Sequence, residues 1–262
     1  DPLWSRGLGD VYKRQTYQGS TISDVSRNGT LDVAGVLRKS SNIGMTMISE
    51  KLESREMWDR FTELGLGQAP QVGFPGAAPG RLRPWDRWRL IEKATMAYGY
   101  GLSVSLLQVA RAYTVFARNG DMVSLTLVKR DSDPTSVKIY TPKTTALVRG
   151  MLEAAAGPEG TKAAQVQGYR VAGKSGTARK IVDGKYSMQR YRSSYVGFAP
   201  VSDPKIVVAV SIDEPTVGGY YGGAIAAPVF SHIVGGSLRL MGVRPDAPFE
   251  STIVAGIKEP GR

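Results

Sequence analysis

Three runs of strand length, Ser175 to Val182, Ser194 to Val201 and Ile206 to Asp213, follow one another in the second half of this 262-residue chain. The last two are separated by Ser202-Asp203-Pro204, a turn tripeptide too short for anything but a reversal. Short connections between consecutive strands dictate an antiparallel meander. A sheet of apolar strands must be covered, so the helical patterns before and after it have to supply the cover. The expected fold is α+β, an antiparallel sheet flanked by helices.

Those helical patterns are legible. From Ser41 to Leu64 the apolar residues Ile43, Met45, Ile48, Leu52, Met57, Phe61 and Leu64 recur at intervals near three and four until Gly65, which predicts one or two helices with a glycine C-cap. Leu66 to Arg89 is rich in Gly and Pro and reads as a long irregular excursion over the surface. "SLLQVARAYTVFARNG" predicts a buried helix whose broad apolar face carries Leu106, Leu107, Val109, Ala110, Tyr113 and Phe116 and which ends at Asn119-Gly120. Thr141-Pro142 opens a helix running through Ala156 and stopped by Gly157-Pro158. A last helix, Ala226 to Gly242, contains Gly235-Gly236, a pair that weakens a helix or lets it pack closely.

Composition narrows the chemistry. There is no cysteine and a single histidine, His232, so disulfides are excluded and neither a metal site nor a cofactor is expected. The net charge of +11 is dispersed, with no basic run longer than two residues. The densest patch, "RLRPWDRWR" at Arg81 to Arg89, reads as a surface arm, and no nucleic-acid partner is expected. No apolar stretch approaches the roughly 20 residues that span a bilayer. Residues 1–15 show neither a helical nor an alternating period and are expected to be a non-native leader, with 16–246 as the domain and 247–262 as a tail.

Two short motifs carry chemistry. "VAGKSGTARK", Val171 to Lys180, places the ammonium of Lys174 and the hydroxyls of Ser175 and Thr177 on a strand edge, with Gly176 letting another backbone lie close. Such an edge suits an extended peptide with a carboxylate, although the tetrapeptide alone could be no more than a strand start. Ser40-Ser41-Asn42 stands where a loop enters a helix; Ser and Asn there are most often N-caps.

Together, Ser-x-Asn on a helical loop and Lys-Ser-Gly-Thr on a strand resemble two of the three signature motifs of the penicillin-binding transpeptidases. "DVSRNGTLDVAGVLRKSSNIGM", "ATMAYGYGLSVSLLQVARAYTVFARNG", "GKSGTARK", "YRSSYVGFAPVSDP" and "IDEP" followed by "GGYYGGAIAAPVFS" extend the likeness to the class B, FtsI-type enzymes of septal peptidoglycan synthesis.

The resemblance implies a serine β-lactamase-like fold and acyl transfer on D-Ala-D-Ala stem peptides, with β-lactams as inhibitors. It implies division and glycosyltransferase proteins as partners, at the periplasmic face of the inner membrane. By position it makes Ser40 a proton relay with Lys174 and Asn42 a ligand of the substrate amide. Ser175 and Thr177 become carboxylate binders, and the Thr177 N–H half of an oxyanion hole. Tyr98, Tyr100, Arg179, Tyr220 and Tyr221 resemble cleft-lining positions, with aromatic packing or plain surface charge as an equal alternative for all five.

The third motif, Ser-x-x-Lys, is expected upstream of residue 16, so that the chain as given is a domain without its N-terminal part and is inactive. Its one literal match, "SDPK" at Ser202 to Lys205, lies in a turn and is expected to be inert. A non-catalytic peptidoglycan-binding or scaffold protein on the same fold is the alternative.

Overall fold

In a computed structural model the described residues are 13–247. Residues 1–12 of the expected leader and the tail beyond Ala247 lie outside them. Arg14 and Gln15, at the leader's end, are the first residues of β1 (Arg14–Tyr17), which pairs antiparallel with β2 (Ser20–Ser23). Gln18 and Gly19, both at positive φ, make the two-residue reversal whose twist suits a hairpin.

Helices come next: α1 (Val33–Lys39), α2 (Asn42–Ser49) and α3 (Ser54–Glu63). The predicted glycine stop is a Schellman cap. The Gly65 N–H reaches the Thr62 carbonyl and the Leu66 N–H the Phe61 carbonyl, with Gly65 at φ +79°. Residues 66–89 are the expected excursion, interrupted by a 3-10 turn at Trp85–Arg87 and by a single antiparallel bridge between Arg81 and Ser103. Its basic arm is tied down by Glu92, which pairs with Arg83 at 2.8 Å and Arg89 at 3.4 Å. The Arg89 amide, with those guanidinium groups, holds the Glu92 carboxyl down to about 2.

Beyond the arm lie α4 (Leu90–Met96), α5 (Leu106–Ala117), the β3 (Asp121–Val123) and β4 (Ser136–Lys138) ladder, and α6 (Pro142–Ala156). The limits of α6 match the sequence reading because its signals are local. Thr141 accepts from the Thr144 N–H, Pro142 fills N1 and Gly157 is the C-cap.

The face predicted for α5 holds at Tyr113 and Phe116, which pack against the buried cluster of Ala117, Leu152 and Phe198, and needs correction at its start. Leu106 and Leu107 are exposed, and the residues of α5 buried outright are Gln108, Ala112, Val115 and Ala117. Gln108 turns inward because its amide donates to three carbonyls of the excursion, those of Gly65, Gln68 and Pro79, at 2.8–3.0 Å. A glutamine reads as solvent-facing in any pattern of hydropathy, so the tertiary partner decided the face.

The main sheet has the order β5-β6-β7, all antiparallel, with β5 at Ala172–Val182, β6 at Lys185–Ala199 and β7 at Ile206–Asp213. Strand β6 begins nine residues before the predicted Ser194. Asp183-Gly184 forms a second two-residue hairpin turn, and its flanking residues are too polar to read as an apolar run. One face of the sheet packs Ala172, Phe198 and Val201 against Ala117 of α5 and Leu152 of α6. The other packs Tyr195, Ala199 and Val210 against α7 (Gly222–Leu240).

Gly222, Ala226, Phe230, Val234 and Leu238 recur every fourth residue and form the buried stripe of α7. Gly235 permits close packing, since a Cβ there would sit 3.1 Å from Val166 Cγ1.

Candidate active site

The two motifs meet. Lys174, on β5, donates a short hydrogen bond from Nζ to Ser40 Oγ, across 134 residues of sequence. Successive strand residues point to opposite faces, so Lys174 projects toward the α1 and α6 side while Ser175 and Thr177 project toward α7.

Ser40 is released for this contact by its neighbour. The residue that caps α2 is Ser41, whose Oγ accepts from the Gly44 N–H at 2.9 Å. Ser40 itself sits between α1 and α2 in the left-handed region, φ 53° and ψ 45°. A serine held there is strained, and strain of this kind collects at working sites. Ser41 donates in turn to Asp24 Oδ2 at 2.6 Å, and Asp24 Oδ1 accepts from the Ile43 N–H at 3.1 Å. Asp24 is buried, so one carboxylate from the strand side fixes the start of α2. Gly44 closes the joint, since a Cβ would lie 2.5 Å from Val36 Cγ2. Asn42, first residue of α2, donates from Nδ2 to the Ser23 carbonyl at 2.9 Å.

Burial lowers the Lys174 ammonium from its ordinary 10.5 to about 8, and its Nζ also donates to the Ser175 carbonyl at 3.1 Å. A lysine that titrates near neutrality and touches a hydroxyl can give a proton to it or take one from it. Ser175 Oγ accepts from Thr161 Oγ1 at 3.3 Å, and Thr177 Oγ1 accepts from the Gly222 N–H at 2.9 Å. Both hydroxyls thus lie beside the first turn of α7, whose dipole favours a negative group there. A Cβ at Gly176 would lie 2.6 Å from Ser194 Oγ, so a larger residue there would have to turn that hydroxyl aside.

The five residues of uncertain role divide into two groups. The Tyr100 ring makes edge contacts with Tyr98 and Tyr186, centroids 6.0 and 5.0 Å apart, and its hydroxyl accepts from the Arg179 N–H at 3.1 Å. The Arg179 guanidinium itself turns to Met188 Sδ at 2.9 Å. Tyr220 stacks on Tyr191 at 4.0 Å and leans on Tyr221 at 4.6 Å, and its hydroxyl is pushed up by the hydrogen bond to Tyr221.

Ser202 of the SDPK match donates to Asp246 Oδ2 at 2.8 Å while Lys205 pairs with Asp203. Serine and lysine there have separate partners and share no helix, as the turn reading requires. A depression of about 1250 Å³ lies between the end of α6, residues 165–171 and the end of α7; Val171 lines it, but none of Ser40, Asn42, Lys174, Ser175 and Thr177 does. Among the described residues no group of three His, Cys, Asp or Glu could hold a metal ion.

Asp24, Thr161 and Gly222 are the positioning residues that sequence reasoning missed. Only Gly222-Gly223, a small-residue pair ahead of a helix, left a trace in the sequence.

A family model described as "Penicillin binding protein transpeptidase domain" matches residues 6–235. The chain is 43% identical over 236 residues to the probable peptidoglycan D,D-transpeptidase PenA of Neisseria gonorrhoeae, covering 90% of this chain and 41% of that protein. It is 40% identical over 232 residues to the peptidoglycan D,D-transpeptidase FtsI of Escherichia coli strain K12, covering 87% and 39%. The chain therefore spans about two fifths of the length of these curated relatives. The apo structure of the TP domain from Burkholderia pseudomallei penicillin-binding protein 3 superposes with a TM-score of 0.86 at 52% identity, covering 92% of this chain and 73% of that one.

Proposed function

The chain belongs to the penicillin binding protein transpeptidase domain family, and from that premise we propose that the protein carrying it is a peptidoglycan D,D-transpeptidase that cross-links stem peptides during septal wall synthesis. The observation that carries this reading is the Ser40–Lys174 hydrogen bond, which joins two distant motifs at one point.

In the proposed reaction a serine nucleophile attacks the D-Ala-D-Ala carbonyl, D-alanine leaves, and an amine of a neighbouring stem peptide resolves the ester. Among the described residues no helix carries a Ser-x-x-Lys motif that would supply that serine. Ser40 and Lys174 pass the protons, a role suited to a lysine near pKa 8. Asn42 holds the substrate amide. Ser175 and Thr177, at the positive end of α7, hold the carboxylate, and the Thr177 N–H faces the developing oxyanion. β-Lactams enter the same site as acylating mimics of the chain end. The enzyme works at the periplasmic face of the inner membrane with division and glycosyltransferase proteins. Among the described residues no helix is long and apolar enough to cross a membrane.

Fluorescent penicillin followed by denaturing electrophoresis tests this. The full-length protein is expected to label, with Lys174→Ala and Ser40→Ala each slowing acylation by about 10² or more, and the 262-residue chain to remain unlabelled. Equal acylation rates for parent and Lys174→Ala at matched folded concentration would sink the proposed role of the motif pair.

A further inference from the structure

Strand β5 is an outer strand of its sheet among the described residues. An outer strand ordinarily offers a continuous row of main-chain donors and acceptors to any extended peptide. Here the row is interrupted, and the interruption has a pattern.

In the ladder with β6, Ser175 stands opposite Tyr195, Thr177 opposite Ser193 and Arg179 opposite Tyr191. Alternate residues of an antiparallel strand turn both main-chain groups toward the neighbour, and those between turn theirs away. Two contacts identify the outward set. The Arg179 N–H donates to the Tyr100 hydroxyl, and the Ser175 carbonyl accepts from the Lys174 ammonium, both at 3.1 Å. Neither partner belongs to β6, so Ser175, Thr177 and Arg179 form the outer edge. The two flanking positions are thus each engaged by a side chain of the protein itself. Thr177 lies between them with its N–H and C=O directed outward, and no side chain of the described residues takes either group.

We infer that Tyr100 is a stop for strand addition: β5 accepts a single extended residue of a ligand, opposite Thr177, and the Tyr100 hydroxyl denies it a second at Arg179. This rests on the transpeptidase reading, in which the ligand is an acyl-D-alanyl-D-alanine peptide. A ligand running antiparallel to β5 would bring the residue two places toward its own N-terminus opposite Arg179. The carbonyl of that residue would need the place the Tyr100 oxygen occupies. The ligand chain must therefore leave the sheet edge after one residue and pass beside the rings of Tyr98, Tyr100 and Tyr186.

The hold on Tyr100 is independent of any ligand. Its ring is braced edge-on by Tyr98 and Tyr186, and the strand bulges just beyond the contact, between Arg179 and Ile181. The bulge ends regular pairing where the hydroxyl already blocks it. Selectivity then depends on how a ligand turns away from the edge, and extra length along the edge adds no affinity.

The test uses the full-length protein and its Tyr100→Phe variant, which keeps the braced ring and removes only the hydroxyl. Two N-acylated D-Ala-D-Ala peptides are titrated calorimetrically, one ending just past the residue opposite Thr177 and one two residues longer toward its N-terminus. The ratio of their affinities is expected to stay within about twofold in the parent and to rise about three- to tenfold in Tyr100→Phe, the effect of one neutral main-chain hydrogen bond. Amide hydrogen exchange at Arg179 is expected to quicken about tenfold in the folded variant.

If both peptides bind and the ratio is the same in the two proteins, the stop is overturned and the transpeptidase reading stands. Failure of the parent to bind either peptide defeats that reading together with this inference. An Arg179 amide equally slow in both folded proteins removes the contact on which the inference is built.

Discussion

The contact between Ser40 and Lys174 and the aromatic rim around β5 are built by opposite means. At the first, an exposed serine and a half-buried lysine from remote segments are brought together by the packing of the elements that carry them. Asp24 fixes the start of α2, Gly44 lets α1 and α2 close, and Gly222 lets α7 approach β5. At the second, Tyr191 of β6 stacks on Tyr220, which leans on Tyr221 just ahead of α7, and the Ser193 hydroxyl, two residues along β6, donates to the Tyr220 carbonyl, so that ring contacts near the surface carry the arrangement. A reacting pair must be positioned to within a fraction of an ångström and so draws on the whole fold. A surface that receives a ligand needs only shape and some freedom.

The largest effect that would sharpen this contrast is expected at Gly222. A Cβ there would lie 2.1 Å from the Gly176 carbonyl oxygen and 2.5 Å from that of Ser194. Those are backbone atoms that cannot step aside, so Gly222→Ala should cost at least about 3 kcal/mol of stability in urea unfolding. A loss under about 1 kcal/mol would show that α7 moves freely over the motif strand.

Asp24→Ala comes next. It strands the Ser41 hydroxyl and the Ile43 N–H in a buried site, and about 2 kcal/mol of destabilisation is expected. Unchanged stability would break the account of how α2 is fixed.

An effect of comparable size is visible only against pH. The folded Lys174 loses its proton near 8 and the unfolded one near 10.5, so between those values the unfolded state binds more protons. Stability therefore rises with pH across that window on account of this group and is independent of it below and above. In Lys174→Met that rise should vanish, which denaturant titrations at pH 7.5 and 10.5 would measure.

The smallest effect belongs to the rim. Tyr220→Leu removes an exposed stacked pair and should change stability by about 1 kcal/mol or less. A loss of 3 kcal/mol there would erase the distinction between the two regions.

Local signals carried most of the fold. Helix α6 was legible to the residue because Thr141, Pro142 and Gly157 act on adjacent backbone groups. The end of α3 was legible because Gly65 alone satisfies a Schellman cap without strain. Failures occurred where a residue's partner was remote. Gln108 is buried because carbonyls some 29–43 residues away meet its amide, which placed Leu106 and Leu107 outside. The first half of β6 was hidden because a polar hairpin arm has no hydrophobic period to read. Of the candidate site, the motif residues were legible as residue types in order. Asp24 was not, since one aspartate in a polar stretch resembles any other until Ser41 is found against it.

By itself the sequence left α1, α4 and the two short hairpins unread, but it determined the helices α2, α3, α5 and α6, the closing helix, the meander of β5 to β7, the turn that holds Ser202, and the two motifs that assign the chain to its family. These depend on nearest-neighbour backbone geometry and on residue chemistry, which need no third dimension. Only the tertiary structure decided that Ser41 and not Ser40 caps α2, that Lys174 turns one way while Ser175 and Thr177 turn the other, and that Tyr100 reaches the Arg179 amide. A hydrogen bond takes its direction from where both partners stand, and partners separated by 79 or 134 residues are brought into contact only by the packing of everything between them.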